Sequence, residues 1–312
     1  MIKVNIVANF MQDLIPSLSK EFPQMLFRKG EDDIENAEII WGNYNINSLK
    51  NCKKLKFLQA LSAGVDAYVK GDFPRAVKLS CSTGAYSLSI SEHILALHLS
   101  IYRNLHLLRD NQNKCIWKNA GAVKSVKNSV VLVVGLGSIG SAYAKLVKEM
   151  GAYVIGVRRS DTNKPEYVDE LFLADDLDNV LARADMIVLA TPSTNETQKL
   201  IDKKRLSIMK NSAMIINIGR GALIDTQDLC DALENGEIAG AGLDVTDPEP
   251  LPENHKLWKM DNVIISPHCA GGYGIEETHE IMVDIFKNNL RNFLEAKEFI
   301  NEVDFSTGYR KI

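Results

Sequence analysis

Several features are missing from this sequence of 312 residues, and each absence excludes a class of protein. No uncharged apolar run reaches the length of about 18 residues that a membrane-spanning helix needs, so we expect no membrane partner. The 36 lysine and arginine residues are outnumbered by 40 aspartate and glutamate residues, and we therefore expect no nucleic-acid partner. The first residues, MIKVNIVANF, alternate like a strand and do not have the layout of a signal peptide.

Cysteine is also scarce. The five cysteines are scattered without C-x-x-C spacing, which argues against a disulfide framework and against a cysteine-based metal site. We therefore expect reduced thiols in a cytoplasmic protein that holds no metal.

What is present predicts two α/β domains, since the length allows each domain a core of its own. Short apolar strands alternate with helical segments up to about residue 80, which predicts a parallel sheet covered on both faces. No phosphate-binding loop follows these strands, so this smaller domain would hold the substrate. A second series of strands and helices, starting near Val130, predicts a doubly wound domain.

The most informative stretch is VVLVVGLGSIG, in which a buried strand runs into G-x-G-x-x-G and then into a helix. This order predicts dinucleotide binding, since the glycine motif alone would be a weak signal. Gly135 permits a tight turn, Gly137 lets the backbone approach a pyrophosphate, and Gly140 lets the helix pack close to the strand. The phosphates would lie at the helix N-terminus, on Ser138 and Ile139.

The end of the next strand bears on the choice of cofactor. An NAD-binding unit has an acidic residue there for the ribose hydroxyls, whereas here the strand AYVIGV is followed by Arg158, Arg159 and Ser160. Two guanidinium groups and a hydroxyl suit a 2′-phosphate, so we expect a preference for NADP(H). NAD(H) stays possible if the arginines only coat the surface or stack on the adenine.

Three further segments place reactive side chains after predicted strands, where open α/β sheets bind ligands. They are NIGRGALID with Arg220, GLDVTDPEPLP with Asp244 and Glu249, and ISPHCAGG with His268. With a hydride supplied by a bound dinucleotide, such a set is complete for the reduction of a 2-keto acid. Arg220 would bind the carboxylate and polarise the carbonyl, His268 would give a proton to the forming alkoxide, and Glu249 would keep the imidazole protonated.

Ser87 to Asn111 is predicted to be one long buried helix, because it is apolar on most faces. His93, His98 and His106 do not share one face of this helix. We interpret them as packing or capping residues and not as ligands.

Together these motifs make the sequence resemble the D-isomer-specific 2-hydroxyacid dehydrogenases over nearly its whole length. The resemblance extends to SAGVD, SEHILAL, TPSTNET and the isolated Trp117. It implies a catalytic triad of Arg220, Glu249 and His268, of which the arginine and the histidine also contact the substrate.

The resemblance implies binding residues as well. The backbone amides of Gly64 and Val65 would bind the substrate carboxylate, although SAGVD can equally be a plain turn before a helix. Asp244 would contact the nicotinamide carboxamide. Trp41 is either an aromatic side chain over the substrate or an ordinary core tryptophan. The cofactor site would further include Thr191, Pro192, Ile218 and Gly271.

The implied architecture is an α/β fold of two doubly wound parallel sheets. A Rossmann dinucleotide-binding domain, 97–283, would be inserted into a smaller flavodoxin-like substrate domain, 1–96 and 284–312. The resemblance also implies a homodimer formed through the nucleotide-binding domain.

The expected function is reduction of a small 2-keto acid to a D-2-hydroxy acid by hydride transfer from NADPH. The alternatives are an NADH-linked dehydrogenase of the same family and a dinucleotide-sensing, corepressor-like scaffold with little turnover. Glyoxylate, hydroxypyruvate, pyruvate and branched-chain keto acids all remain open as substrates.

Overall fold

The computed structural model describes residues 1–159, 163–272 and 274–311, and the chain forms two compact units. Unit 1 comprises Met1–Tyr86 and Tyr273–Ile312, and unit 2 comprises Ser87–Gly272. Unit 2 is therefore inserted into the sequence of unit 1. Within the described ranges, no helix has the length and apolarity needed to cross a membrane.

Three sheets are formed by the described strands. In chain order the strands are β1 (Ile2–Ile6), β2 (Met25–Lys29), β3 (Ile39–Trp41), β4 (Phe57–Gln59), β5 (Lys78–Ser80), β6 (Val130–Val134), β7 (Tyr153–Arg158), β8 (Glu170–Leu173), β9 (Met186–Leu189), β10 (Met214–Asn217), β11 (Gly240–Leu243), β12 (Val263–Ile265), β13 (Val303–Asp304) and β14 (Tyr309–Arg310). Unit 1 has a parallel sheet in the order β2-β1-β3-β4-β5, and a short antiparallel pair, β13-β14. Unit 2 has a parallel sheet in the order β12-β11-β10-β9-β6-β7-β8.

Helices connect these strands. In chain order they are α1 (Ile15–Glu21), α2 (Ile46–Leu49), α3 (Asp66–Lys70), α4 (Ser87–Tyr102), α5 (Leu105–Asn113), α6 (Ser138–Glu149), α7 (Leu177–Leu181), α8 (Lys203–Ile208), α9 (Thr226–Glu234) and α10 (Glu276–Leu294).

Unit 1 has the strand order of flavodoxin-like folds, with its central strands buried on both faces. The last helix, α10, completes this unit. Its buried Asn289 donates to Gln59 Oε1 at 2.8 Å and to Ser80 Oγ at 3.1 Å, so it is tied to the carboxyl ends of β4 and β5. A satisfied polar network of this kind fixes the helix in one register on the sheet.

Unit 2 has the doubly wound order of dinucleotide-binding folds, with the change of direction between β6 and β9. The five apolar residues of β6 are almost wholly buried, which suits a central parallel strand. Helix α4 packs on α6 and against β11, where a Cβ on Gly242 would lie 3.4 Å from Leu97 and Ile101. The predicted class, α/β with two doubly wound parallel sheets, is confirmed.

The segment from Ser87 onward differs from the prediction of a single helix. It forms α4 and α5, and Asn104 separates them in the left-handed conformation with φ of 54°. Asparagine tolerates this conformation better than most residues. No residue of α5 is buried, so the prediction of a buried helix is wrong for the second part of this apolar run.

Strand β8 was missed by the sequence prediction. It is an edge strand whose residues are half-buried or exposed, so it lacks the continuous apolar run that marks the central strands.

His98 is a buried packing residue, as predicted for it. Its Nδ1 is 2.7 Å from the Tyr143 hydroxyl, and its ring lies edge-on to Tyr102 at 4.2 Å. Burial lowers the pKa of His98 from 6.5 to about 4, so the folded protein holds the ring neutral.

This lowered pKa predicts a loss of stability in mild acid. Below pH 6.5 the unfolded chain binds a proton at His98 that the folded chain does not bind until about pH 4, so stability falls as the pH falls through that window. At pH 5 the loss from this residue should be about 2 kcal/mol relative to pH 7.5. Urea unfolding at both pH values should show this loss in the wild-type protein, and a smaller one in His98→Gln. Equal losses in the two proteins would contradict the assignment.

Candidate active site

The glycine motif has the geometry that a dinucleotide requires. Gly135 has a φ of 97°, and a Cβ on it would lie 2.6 Å from the Ala190 carbonyl oxygen. A Cβ on Gly140 would lie 2.0 Å from the Gly135 carbonyl oxygen, so only glycine allows α6 to pack this close to β6. A Cβ on Gly137 would meet no described atom within 4 Å. The backbone of Gly137 therefore faces open space that a pyrophosphate can enter.

Helix α6 begins directly at this space. Gly137 is its N-cap and makes no side-chain cap, so the amides of Ser138 and Ile139 at the first turn have no partner within the helix. The contact between Gly135 and Ala190 also brings Thr191 to the glycine loop. The residues present fit a dinucleotide, with its phosphates at the positive end of α6.

The predicted contacts for the adenine end lie on the neighbouring strand. β7 pairs in parallel with β6, and the Gly135 amide donates to the Val157 carbonyl at 3.0 Å. Arg158 is the half-buried last residue of β7, and Arg159 follows it exposed. Ser160 lies outside the described residues.

The remaining predicted cofactor residues also follow strands of unit 2. Pro192 is exposed after β9, Ile218 is buried after β10, and Gly271 is half-buried on the loop after β12.

Arg220 follows β10, and the loops that carry Glu249 and His268 follow the adjacent strands β11 and β12. Its guanidinium is half-buried and donates to the Gly219 carbonyl at 2.7 Å. A Cβ on Gly221 would lie 2.0 Å from the Thr246 carbonyl oxygen, so the Arg220 turn packs directly against the segment that leads to Glu249.

Glu249 and His268 form a pair. His268 Nδ1 is 2.5 Å from Glu249 Oε1, and each side chain is between 40% and 50% exposed. Because a carboxylate only accepts hydrogen bonds, Nδ1 carries the proton and donates it to Glu249. Nε2 is left as the ring nitrogen that can exchange a proton with a ligand.

The backbone of His268 is held in an unusual conformation, with φ of 50°. Its amide donates to the Asp244 carbonyl at 2.8 Å and to the Ser266 carbonyl at 3.0 Å. Such backbone conformations need surrounding structure to maintain them, and they concentrate at functional sites.

Asp244 supplies much of that structure. Its carboxylate is 3% exposed and accepts from the Ser266 hydroxyl at 2.7 Å, the Cys269 amide at 3.0 Å and the Ala270 amide at 3.2 Å. Both the backbone and the side chain of Asp244 therefore hold the 266–270 loop. The predicted contact of Asp244 with the nicotinamide stays a prediction.

Gly64 and Val65 lie in unit 1, on the loop between β4 and α3. Asn43 Oδ1 accepts from the Leu61 amide at 3.0 Å, and the Ser62 hydroxyl donates to the Gly64 carbonyl at 2.7 Å. These two hydrogen bonds fix the loop through the Leu61 amide and the Gly64 carbonyl. The predicted binding of a carboxylate by the amides of Gly64 and Val65 stays a prediction.

Trp41 ends β3 in the core of unit 1. The indole is fully buried and stacks on Phe286, with ring centroids 4.1 Å apart. As the structure places it, Trp41 is a core tryptophan and its ring is not accessible to a substrate.

Comparisons with known proteins agree with this geometry. Residues 95–270 match the family model described as D-isomer specific 2-hydroxyacid dehydrogenase, NAD binding domain. A glyoxylate reductase of Thermofilum pendens is 31% identical over 91% of this chain and 86% of its own length. The chain belongs to the D-isomer specific 2-hydroxyacid dehydrogenase family. The predicted family, and the prediction of an NAD(P)-dependent oxidoreductase, are thereby confirmed.

This dehydrogenase is also similar to a second curated relative and to a solved structure. A probable 2-ketogluconate reductase of Dictyostelium discoideum is 34% identical over 80% of this chain and 76% of its own length. A D-isomer specific 2-hydroxyacid dehydrogenase of Xanthobacter autotrophicus Py2, solved with NADPH and MES, superposes with a TM-score of 0.84. It is 28% identical and covers 99% of both chains.

Sequence reasoning missed the residues behind the His268 loop of this dehydrogenase. Ser266 joins His93 of α4 to Asp244, with 2.9 Å between His93 Nε2 and Ser266 Oγ. Ser89 of the same helix donates to the Ala270 carbonyl at 2.7 Å. The only sequence signal is that Ser89 and His93 are polar and four residues apart on a mainly apolar helix, so they share a face.

The glycine geometry predicts different effects for two alanine substitutions, one on stability and the other on dinucleotide binding. Gly140→Ala should destabilise the protein by about 1–3 kcal/mol, since its Cβ would overlap the Gly135 carbonyl. Gly137→Ala should unfold like the wild type but bind the dinucleotide more weakly, because the methyl group enters the space for the pyrophosphate. Thermal unfolding and fluorescence titration with NADPH measure the two effects. Tight NADPH binding by Gly137→Ala would contradict the placement.

Proposed function

We propose that this dehydrogenase reduces a small 2-keto acid to the D-2-hydroxy acid with NADPH. The observation that carries the proposal is the Glu249–His268 pair, with 2.5 Å between Oε1 and Nδ1. Its two residues follow the adjacent strands β11 and β12 of a sheet whose central strand leads into the open glycine loop. An imidazole that is bonded to a carboxylate through Nδ1 and presents Nε2 is suited, once protonated, to give a proton to an alkoxide.

The chain's own residues would divide the work as follows. Bound NADPH would supply the hydride to the carbonyl carbon. Arg220 would bind the substrate carboxylate and polarise the carbonyl, because a guanidinium matches a carboxylate in bidentate fashion. His268 Nε2 would protonate the carbonyl oxygen as it gains charge, and Glu249 would orient the ring and stabilise its charge. In unit 1, the amides of Gly64 and Val65 would bind the carboxylate group.

The cofactor would be held by the glycine loop and the strand ends around it. Gly135, Gly137 and Gly140 would shape the loop, and the amides of Ser138 and Ile139 would take the phosphates. The other proposed contacts are Arg158, Arg159, Ser160, Thr191, Pro192, Ile218, Asp244 and Gly271.

NADPH is proposed over NADH because a cation stands at the end of β7. Arg158 occupies the position where a carboxylate would bind the ribose hydroxyls, and Arg159 is exposed beside it. The Xanthobacter relative was solved with NADPH, which supports the same preference here.

Turnover tests the proposal directly. Loss of reduced-nicotinamide absorbance should be followed with NADPH and NADH in parallel, against glyoxylate, hydroxypyruvate and 2-ketoisocaproate. We expect oxidation of NADPH to exceed that of NADH with at least one acid. Equal rates would keep the enzyme and contradict the cofactor preference. Tight NADPH binding without turnover of any acid would contradict the enzymatic proposal and favour a dinucleotide-sensing scaffold.

His268→Gln should lower kcat by roughly 10²- to 10⁴-fold, the usual contribution of a general acid. NADPH affinity should change little, because His268 makes no contact with the glycine loop in this proposal. His106→Gln is a matched control, since His106 bonds the Asp261 carbonyl on another part of unit 2. An active His268→Gln enzyme would remove the proposed role.

We also propose a homodimer formed through unit 2. Helix α5 has no buried residue and exposes Leu105 and Leu108. Ile116 is 45% exposed and Trp117 is wholly exposed, beside a groove of about 650 Å³. Leu108, Ile116 and Trp117 line this groove, and exposed apolar side chains gathered in one place are typical of a protein interface.

Trp117→Glu should therefore weaken self-association. We expect the wild-type protein to sediment as a dimer at micromolar concentration, and the variant to shift toward monomer. Trp258→Glu is the matched control, because Trp258 is 49% exposed and lies outside this surface. A monomeric wild-type protein, or a Trp117→Glu variant as dimeric as the wild type, would contradict the proposed interface.

A further inference from the structure

Helix α4 contributes two polar side chains to the loop that presents His268. Ser89 and His93 lie one turn apart on a mainly apolar helix, and both reach residues of the 266–270 loop. Ser89 Oγ donates to the Ala270 carbonyl at 2.7 Å, and His93 Nε2 is 2.9 Å from Ser266 Oγ. The loop is thus attached near both of its ends to one face of α4.

The hydrogen bonds behind the loop have a defined direction. The Ser266 hydroxyl has one proton, and it donates that proton to Asp244 Oδ1 at 2.7 Å. Ser266 Oγ can therefore only accept from His93, so Nε2 of His93 carries a proton and donates it. His93 Nε2 is also 3.7 Å from Asp244 Oδ1, so this N–H group faces a carboxylate that is almost completely buried.

Asp244 connects these side chains to the backbone of His268. Its carboxylate accepts the amides of Cys269 and Ala270, and its carbonyl accepts the amide of His268. These three amides are consecutive, and the first belongs to the residue held at a φ of 50°. A shift of the Asp244 carboxylate would move the backbone on which the His268 ring is mounted.

We propose that His93 is a positioning residue for His268, acting through Ser266 and Asp244. The proposal rests on the proposed function insofar as it assigns His268 a part in turnover. His93 is not a catalytic residue, since it reaches the reacting groups only through the loop.

The chemistry of the site favours this role over simple packing. A leucine or methionine would suit a helix as apolar as α4, and neither has a donor. Without a donor at residue 93, Ser266 Oγ loses the hydrogen bond that it accepts, and the buried Asp244 carboxylate loses an N–H group 3.7 Å away.

The test uses variants of the full-length protein that separate the donor from the side-chain volume. His93→Leu removes the donor and fills the space. His93→Gln retains an N–H donor near the position of Nε2. Ser266→Ala removes the bridge. We expect His93→Leu and Ser266→Ala each to lower kcat by roughly 10- to 100-fold, as a small misplacement of a reacting group does. NADPH affinity should stay within about twofold, and His93→Gln should recover most of the activity.

The double variant gives a sharper criterion. Since both single changes break the same chain of bonds, His93→Leu combined with Ser266→Ala should be little worse than either alone. His98→Gln is the control for general damage to α4, because His98 lies on the same helix and bonds Tyr143, away from the loop. At pH 7, His98→Gln should lower the free energy of unfolding and leave kcat close to the wild-type value.

Amide hydrogen exchange over the 266–270 loop provides a readout that does not need turnover. Exchange at Cys269 and Ala270 should be faster in His93→Leu and Ser266→Ala, and close to wild type in His93→Gln and His98→Gln. If the wild-type protein turns over no keto acid, the proposed function fails, and exchange alone still decides whether His93 positions the loop. Unchanged exchange, or changed exchange with undiminished kcat in an active enzyme, would overturn the proposal.

Discussion

The buried carboxylate of Asp244 is the constraint on which the candidate site depends. It is 3% exposed and accepts a hydroxyl and two backbone amides from the 266–270 loop. A buried carboxylate is costly unless such donors surround it, so the loop that supplies the donors has little freedom. The loop in turn presents His268, whose backbone conformation is uncommon and whose ring is bonded to Glu249. The hydrogen bonds of the buried Asp244 carboxylate thus position the exposed Glu249–His268 pair.

The sheet of unit 2 sets up this arrangement. Parallel strands end at one edge, so the segments after β10, β11 and β12 are neighbours although they are far apart in sequence. Contacts between backbones then fix the detail, as where Gly221 meets the Thr246 carbonyl and Gly135 meets the Ala190 carbonyl. The same edge holds the open space beside Gly137. The glycine loop and the Glu249–His268 pair therefore both lie at the carboxyl ends of strands of the same parallel sheet.

Much of this could be predicted from the sequence, because buried parallel strands and the glycine spacing are local signals. The strand β6, the helix α6 and the α/β class follow from VVLVVGLGSIG and the strands around it. Local signals fail where tertiary context decides. The pattern at Asn104 does not show that α5 leaves the core, and the half-buried β8 has no continuous apolar run. In the sequence, His93 is only a histidine on a mainly apolar helix. The structure is needed to show that Ser266 and Asp244 lie opposite it.

The stereochemistry of the product tests the central claim most directly. The protein would be incubated with NADPH and hydroxypyruvate or 2-ketoisocaproate, and the 2-hydroxy acid formed would be resolved on a chiral column. We expect a single enantiomer, since one fixed arrangement of Arg220 and His268 presents a single face of the carbonyl to the hydride, and we expect it to be D because the family is D-isomer specific. The L-isomer, or a racemic product, would contradict it.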